Sequence, residues 1–184
     1  MKGIVFTEFL DMVDHKIAPE VADQIIEDVD VPSGCAYTAI GTYDYGEMIE
    51  LVGALSERTG VSVADLQKAY GRHLFKVFTK KYPSMFRDGD TAFDVLERVD
   101  DTIHREVHKL YPDAELPVFK AARHDNVWLK LDYTSNRPFA DLAEGLIEGC
   151  IEHFGGGIEM HREDFSPPPE TRSVFLLETQ ELPS

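Results

Sequence analysis

The chain has 184 residues, 43% of them apolar, which is enough to build the core of one compact unit. Eighteen Lys and Arg stand against 34 Asp and Glu, a formal charge of −16 that repels nucleic acid and anionic membrane surfaces. Cys35 and Cys150 make neither a disulfide framework nor a CxxC knuckle, Glu8 and Asp11 interrupt any apolar leader, and no stretch approaches the roughly 18 to 20 apolar residues of a membrane span, so a reducing cytoplasm is the expected setting.

Residues 1 to about 110 read as helices, because apolar residues recur at three- and four-residue steps. Val5, Phe6, Phe9, Leu10 and Val13 form the first stripe. Met48, Leu51, Val52 and Leu55 form another, which stops near Gly60, a residue suited to the left-handed cap. Ser62 then caps a new helix, with Asp65 three residues on, ahead of Leu66, Tyr70, His73, Leu74, Val77 and Phe78. Lys80-Lys81-Tyr82-Pro83 ends it. Asp90 or Thr91 caps the next helix, which carries Phe93, Leu96, Val99, Ile103, Val107 and Leu110 until Tyr111-Pro112.

Beyond Pro117 the period changes. VWLKLDYTS from Val127 alternates apolar and polar residues, as does SVFLLET from Ser173, so both are predicted strands. Between them an amphipathic helix carrying Phe139, Leu142, Ala143, Leu146, Ile147 and Ile151 begins at Pro138 and ends at Gly155-Gly156-Gly157. Ser166-Pro-Pro-Pro169 reads as a stiff connection before the last strand. The expected class is α+β, without repeats, low-complexity tracts or long linkers.

One histidine carries the functional reading. With Ile103 as the centre of its stripe, His104 lies about 100° away, on the flank, placed to face a buried neighbour. His108 lies about 140° from the centre, toward water. The run His104-Arg-Glu-Val-His108 has the i,i+4 pair that grips zinc, but Glu106 stands at the second position, so HExxH is absent. Spacing leaves three readings for His104: a structural core residue, half of an exposed zinc pair, or a cofactor ligand.

The segment HREVHKLYPDAELPVF from His104 resembles the heme-ligand segment of the H-NOX (heme nitric oxide/oxygen binding) family, in which a helical His precedes Tyr-Pro and a further Pro, here Tyr111, Pro112 and Pro117. The family's Tyr-x-Ser-x-Arg signature stands at Tyr133, Ser135 and Arg137. MKG at the start, GTYDYGEMIELV and AYGRHLFKVF also resemble family counterparts, so the likeness runs over nearly the whole chain.

The resemblance implies an N-terminal helical subdomain packed on a C-terminal antiparallel sheet with one long helix, a heme b between them, a distal part over about 1–63 and a proximal part over about 64–184. It implies His104 as the sole axial ligand to iron, leaving the other heme face for a gas. Tyr133, Ser135 and Arg137 alternate at a strand end and offer two hydroxyls and a guanidinium to the two propionates. Pro117 is expected against the heme, helping to bend it. Family correspondence puts Val5, Phe9, Leu74, Phe78, Leu142 and Leu146 on the distal side. Oxygen-binding members carry Tyr where this chain has Leu142, and none of the six has a hydrogen-bond donor, so nitric oxide and carbon monoxide are expected to bind without a lasting oxygen complex; Tyr70 and His73 are the residues that could supply a donor. GGG at 155 lacks a P-loop Lys and no nucleophile elbow is present, so no enzyme is expected and output must pass to a partner. As in similar bacterial proteins, nitric oxide weakens or breaks the iron–His104 bond, and the partner is a histidine kinase or a cyclic-di-GMP synthesising or degrading protein. Some relatives hold zinc through C-terminal cysteines; none stands between Gly155 and Ser184, so no zinc is expected. The alternatives are an oxygen or carbon monoxide sensor, a heme enzyme such as a peroxidase, or an interaction domain whose His104 is merely packed.

Overall fold

The computed structural model describes residues 1–166 and 170–180. The proline connection expected at 166–169 lies, beyond Ser166, outside the described residues. The fold is α+β, with seven α-helices and a four-stranded antiparallel sheet among the described residues.

The helical part begins with α1 (Gly3–Lys16), α2 (Pro19–Asp28) and α3 (Tyr45–Thr59). The caps at the α3–α4 turn follow the expected chemistry. Gly60 takes φ 71° after α3, and the Ser62 hydroxyl accepts from the Asp65 N–H at the start of α4 (Val63–Lys81). Phe6, Phe9, Leu51, Leu55 and Tyr70 meet in a core among these helices, each 1% exposed or less.

After a 3₁₀ turn at Pro83–Met85, α5 (Ala92–Glu97) opens with a capping box: Thr91 accepts from the Asp94 N–H and Asp94 from the Thr91 N–H. The continuous helix expected through Leu110 does not form. Instead a π-helical turn spans Val99–His104, with the N–H groups of Thr102 and Ile103 both reaching the Arg98 carbonyl, before α6 (Arg105–Leu110) resumes. Periodicity sees the apolar positions but not a widened turn that keeps them on one side.

The sheet holds β1 (Val118–His124), β2 (Trp128–Ser135), β3 (Ile158–Ser166) and β4 (Thr171–Thr179) in the order β1-β2-β4-β3. β2 and β4 are the two strands expected from alternation, and they are the central ones. Leu129, Leu131 and Tyr133 from β2 and Phe175 and Leu177 from β4 bury one face beneath α5 and α7 (Ala140–Phe154).

α7 and α4 join the two cores. An added Cβ on Gly145 would stand 2.2 Å from the Lys68 carbonyl oxygen, and one on Gly71 2.5 Å from that of Leu142. Missing side chains let the two backbones touch, with Arg72–Glu148 and Lys76–Glu152 pairs along the rim. Among the described residues no helix is long and apolar enough to cross a membrane.

Candidate functional site

A cavity of about 620 Å³ lies between the helical core and the sheet core, within the roughly 300–1,000 Å³ usual for cofactor sites. One wall is apolar: Val5 of α1, Leu74 and Phe78 of α4, and Leu142 and Leu146 of α7. The π-turn and α6 build another with Val99, Ile103, His104 and Val107, and Pro117 closes the segment beside them. Tyr133, Ser135 and Arg137 line the polar edge. Phe9 alone of the expected set stands back from the wall. It is fully buried in the helical core, edge-on to Tyr70 at 5.2 Å between ring centroids.

His104 is the imidazole of the cavity. Its side chain is 16% exposed, and burial holds its pKa below the ordinary histidine value, against the upward pull of Asp100. Nδ1 is 3.1 Å from Asp100 Oδ1. A carboxylate there accepts, so Nδ1 carries the hydrogen and Nε2 is left with its lone pair. His108 is exposed, so the two histidines of HREVH face different surroundings.

The polar edge is organised by contacts among its own residues. Tyr133 is buried beneath Phe119 and Phe175, and burial raises its pKa, keeping it a hydroxyl donor. The Ser135 hydroxyl accepts from the Arg137 N–H at 3.1 Å, turning the chain just beyond β2. The Arg137 guanidinium lies 5.3 Å over the Tyr45 ring and pairs with Glu115. At 12% exposure its side chain is sheltered, whereas that of Glu115 is 69% exposed.

Tyr70 and His73 do not line the cavity. The buried Tyr70 hydroxyl donates to the Val5 carbonyl, and His73 sits with Glu8 and Asp11, where burial lowers its pKa. Three contributors escaped sequence reasoning. Asp100 had a signal, since it stands four residues before His104 on a helical stretch. Tyr82 also had one: it continues the stripe of Leu74 and Phe78 by one more turn and lines the cavity, where burial pushes its pKa up to about 12. Glu115 had none, because its pairing depends on a loop.

The donor set suits an iron porphyrin: one nitrogen ligand, apolar walls, and a cation with hydroxyls at one edge where acid groups could sit. Val99, Ile103 and Val107 point the same way, since each lines the cavity while the segment that carries them has no buried residue.

The sequence matches the family described as Haem-NO-binding over residues 2–162. Among solved structures, the H-NOX protein from K. algicida in the Fe(II) unliganded form is 37% identical, covering 99% of this chain and 98% of that one with a TM-score of 0.91. The H-NOX from Shewanella woodyi, bound to IWP-051 in the Fe(II)CO state, is 36% identical over 98% and 95% of the two chains, with a TM-score of 0.82. An H-NOX protein from S. oneidensis in the Fe(II)NO state is 26% identical over 98% and 100%, with a TM-score of 0.89. No curated protein matches the chain.

Proposed function

The chain belongs to the H-NOX family of haem-NO-binding proteins, and from that premise we propose that it is a nitric oxide sensor rather than an enzyme, holding one b-type heme through His104 and reporting to a partner signalling protein. The carrying observation is the contrast between walls: one imidazole on the π-turn, and no hydrogen-bond donor among the side chains of Val5, Leu74, Phe78, Leu142 and Leu146. Bound ferrous heme supplies an open position for a diatomic gas. His104 Nε2 serves as the single protein ligand, while Tyr133, Ser135 and Arg137 hold the acid side chains of the cofactor. Pro117 packs at its edge. Nitric oxide and carbon monoxide need no donor, whereas oxygen, which gathers negative charge on iron, is held poorly by such a wall.

His104 is the trigger in this reading. With heme bound, nitric oxide would weaken its hold on iron, and movement of the 99–110 segment that carries it would shift the helical part against the sheet. We place the boundary between the distal and proximal parts near residue 63, in the turn capped by Gly60 and Ser62. A gas shifts the balance only by its differential affinity for the two arrangements. The partner class we favour is a histidine kinase or a protein that makes or degrades cyclic-di-GMP, and no zinc takes part.

Visible spectra of the ferrous protein test the reading. Nitric oxide and carbon monoxide should each shift the Soret band, and air should give no lasting oxygen complex; an oxygenated spectrum persisting in air would overturn it. His104→Gly, with heme kept by added imidazole, should bind nitric oxide yet lose the partner's response. A second reading, stable oxygen binding, is favoured by Tyr82, whose hydroxyl stays protonated on the cavity wall. In that case Tyr82→Phe should abolish the oxygen complex.

A further inference from the structure

Asp100 has no part in the reading above, yet its carboxylate is aimed at the iron ligand. Oδ1 lies 3.1 Å from His104 Nδ1 and also accepts, at 3.4 Å, from the Phe119 N–H of β1. Among the described residues no Lys or Arg pairs with Asp100; His104 is its ion-pair partner. Its negative charge is therefore directed at one imidazole. The π-turn brings this about, since both residues lie within it.

We propose that Asp100 is a positioning residue that sets the strength of the iron–His104 bond and ties that bond to the edge strand of the sheet. The proposal rests on His104 being the iron ligand. A carboxylate accepting from Nδ1–H fixes the tautomer and pushes electron density toward Nε2, making it a stronger donor to the metal. Asp100 thereby opposes the loss of His104 when nitric oxide binds. Because the same oxygen holds the Phe119 N–H, movement of the His104 turn pulls on β1. The Phe119 ring, 6.0 Å from that of His104 and 5.2 Å from that of Tyr133, carries the displacement toward the polar edge.

Asp100→Asn removes the charge with little change of shape, and Asp100→Ala removes the acceptor. In the ferrous heme-loaded protein the iron–histidine stretching band should fall in the order wild type, Asn, Ala, and the fraction of nitric oxide complex that has lost His104 should rise in the same order. Asp101→Asn, at an exposed neighbour, should change neither. A second measurement does not depend on keeping the native ligand. In His104→Gly, imidazole should bind about tenfold tighter than 1-methylimidazole, which has no N–H to offer, the value of one charge-assisted hydrogen bond. Adding Asp100→Asn should shrink that preference. Unchanged stretching bands, or equal affinities for the two imidazoles, would overturn the role of Asp100 while leaving His104 as ligand. A wild-type protein without an iron–histidine band would instead overturn the ligand assignment on which the proposal rests.

Discussion

The seam between α4 and α7 and the segment from Val99 to Leu110 are both helical and both line the cavity, but they are held in opposite ways. In the seam, Gly71 and Gly145 let backbone meet backbone, and seven residues of α7 are buried. The π-turn and α6 bury none, and Leu110 is 57% exposed. Packing is concentrated in the seam, while His104, the ligand proposed for iron, stands on a segment whose side chains are at most partly buried. Uneven packing of this kind lets one element open while another holds.

The largest effect should come from breaking the seam. Gly145→Val drives a branched side chain into the Lys68 backbone and should lower stability by about 3 kcal/mol in denaturant titrations. Gly53→Ala, in α3 where an added Cβ meets nothing, should raise it by about 0.5 to 1 kcal/mol and serves as the control. Hydrogen exchange sharpens the comparison. In heme-free protein the amides of 99–110 should exchange at least about tenfold faster than those of α7, and heme should slow the former most; equal protection in both regions would contradict the contrast. A smaller effect should separate the segment from its own anchor. The Arg123 guanidinium, with Thr91, holds the Asp94 carboxyl well below the usual carboxylate range. Its folded pKa is thus below the unfolded value of about 3.9, so the contribution is complete above that pH and is lost as pH falls toward the folded value. Asp94→Asn should therefore cost about 1 kcal/mol at pH 7 and progressively less as pH falls below about 4.

The same contrast explains what could be read in advance. The caps at Gly60, Ser62 and Thr91 depend on neighbours within a few residues, so local chemistry specifies them. β2 and β4 bury alternate residues and announce themselves by period. β1 does not: only Phe119 and Arg123 are even partly sheltered along it, so no alternation survives. β3 pairs only with β4 and turns charged after Met160, so it too was missed. Family correspondence named Val5, Leu74, Phe78, Leu142 and Leu146, which line the cavity, and Phe9, which does not, whereas the Glu115–Arg137 pair joins positions that no periodicity relates.

That pair has a consequence for how the site fills. The Arg137 guanidinium is sheltered, while the Glu115 carboxylate bound to it stands largely in water. A cation held in this way is not a bare charge stranded in the protein. A guanidinium carries five N–H donors, so this pairing leaves others that could be offered to a second acid group.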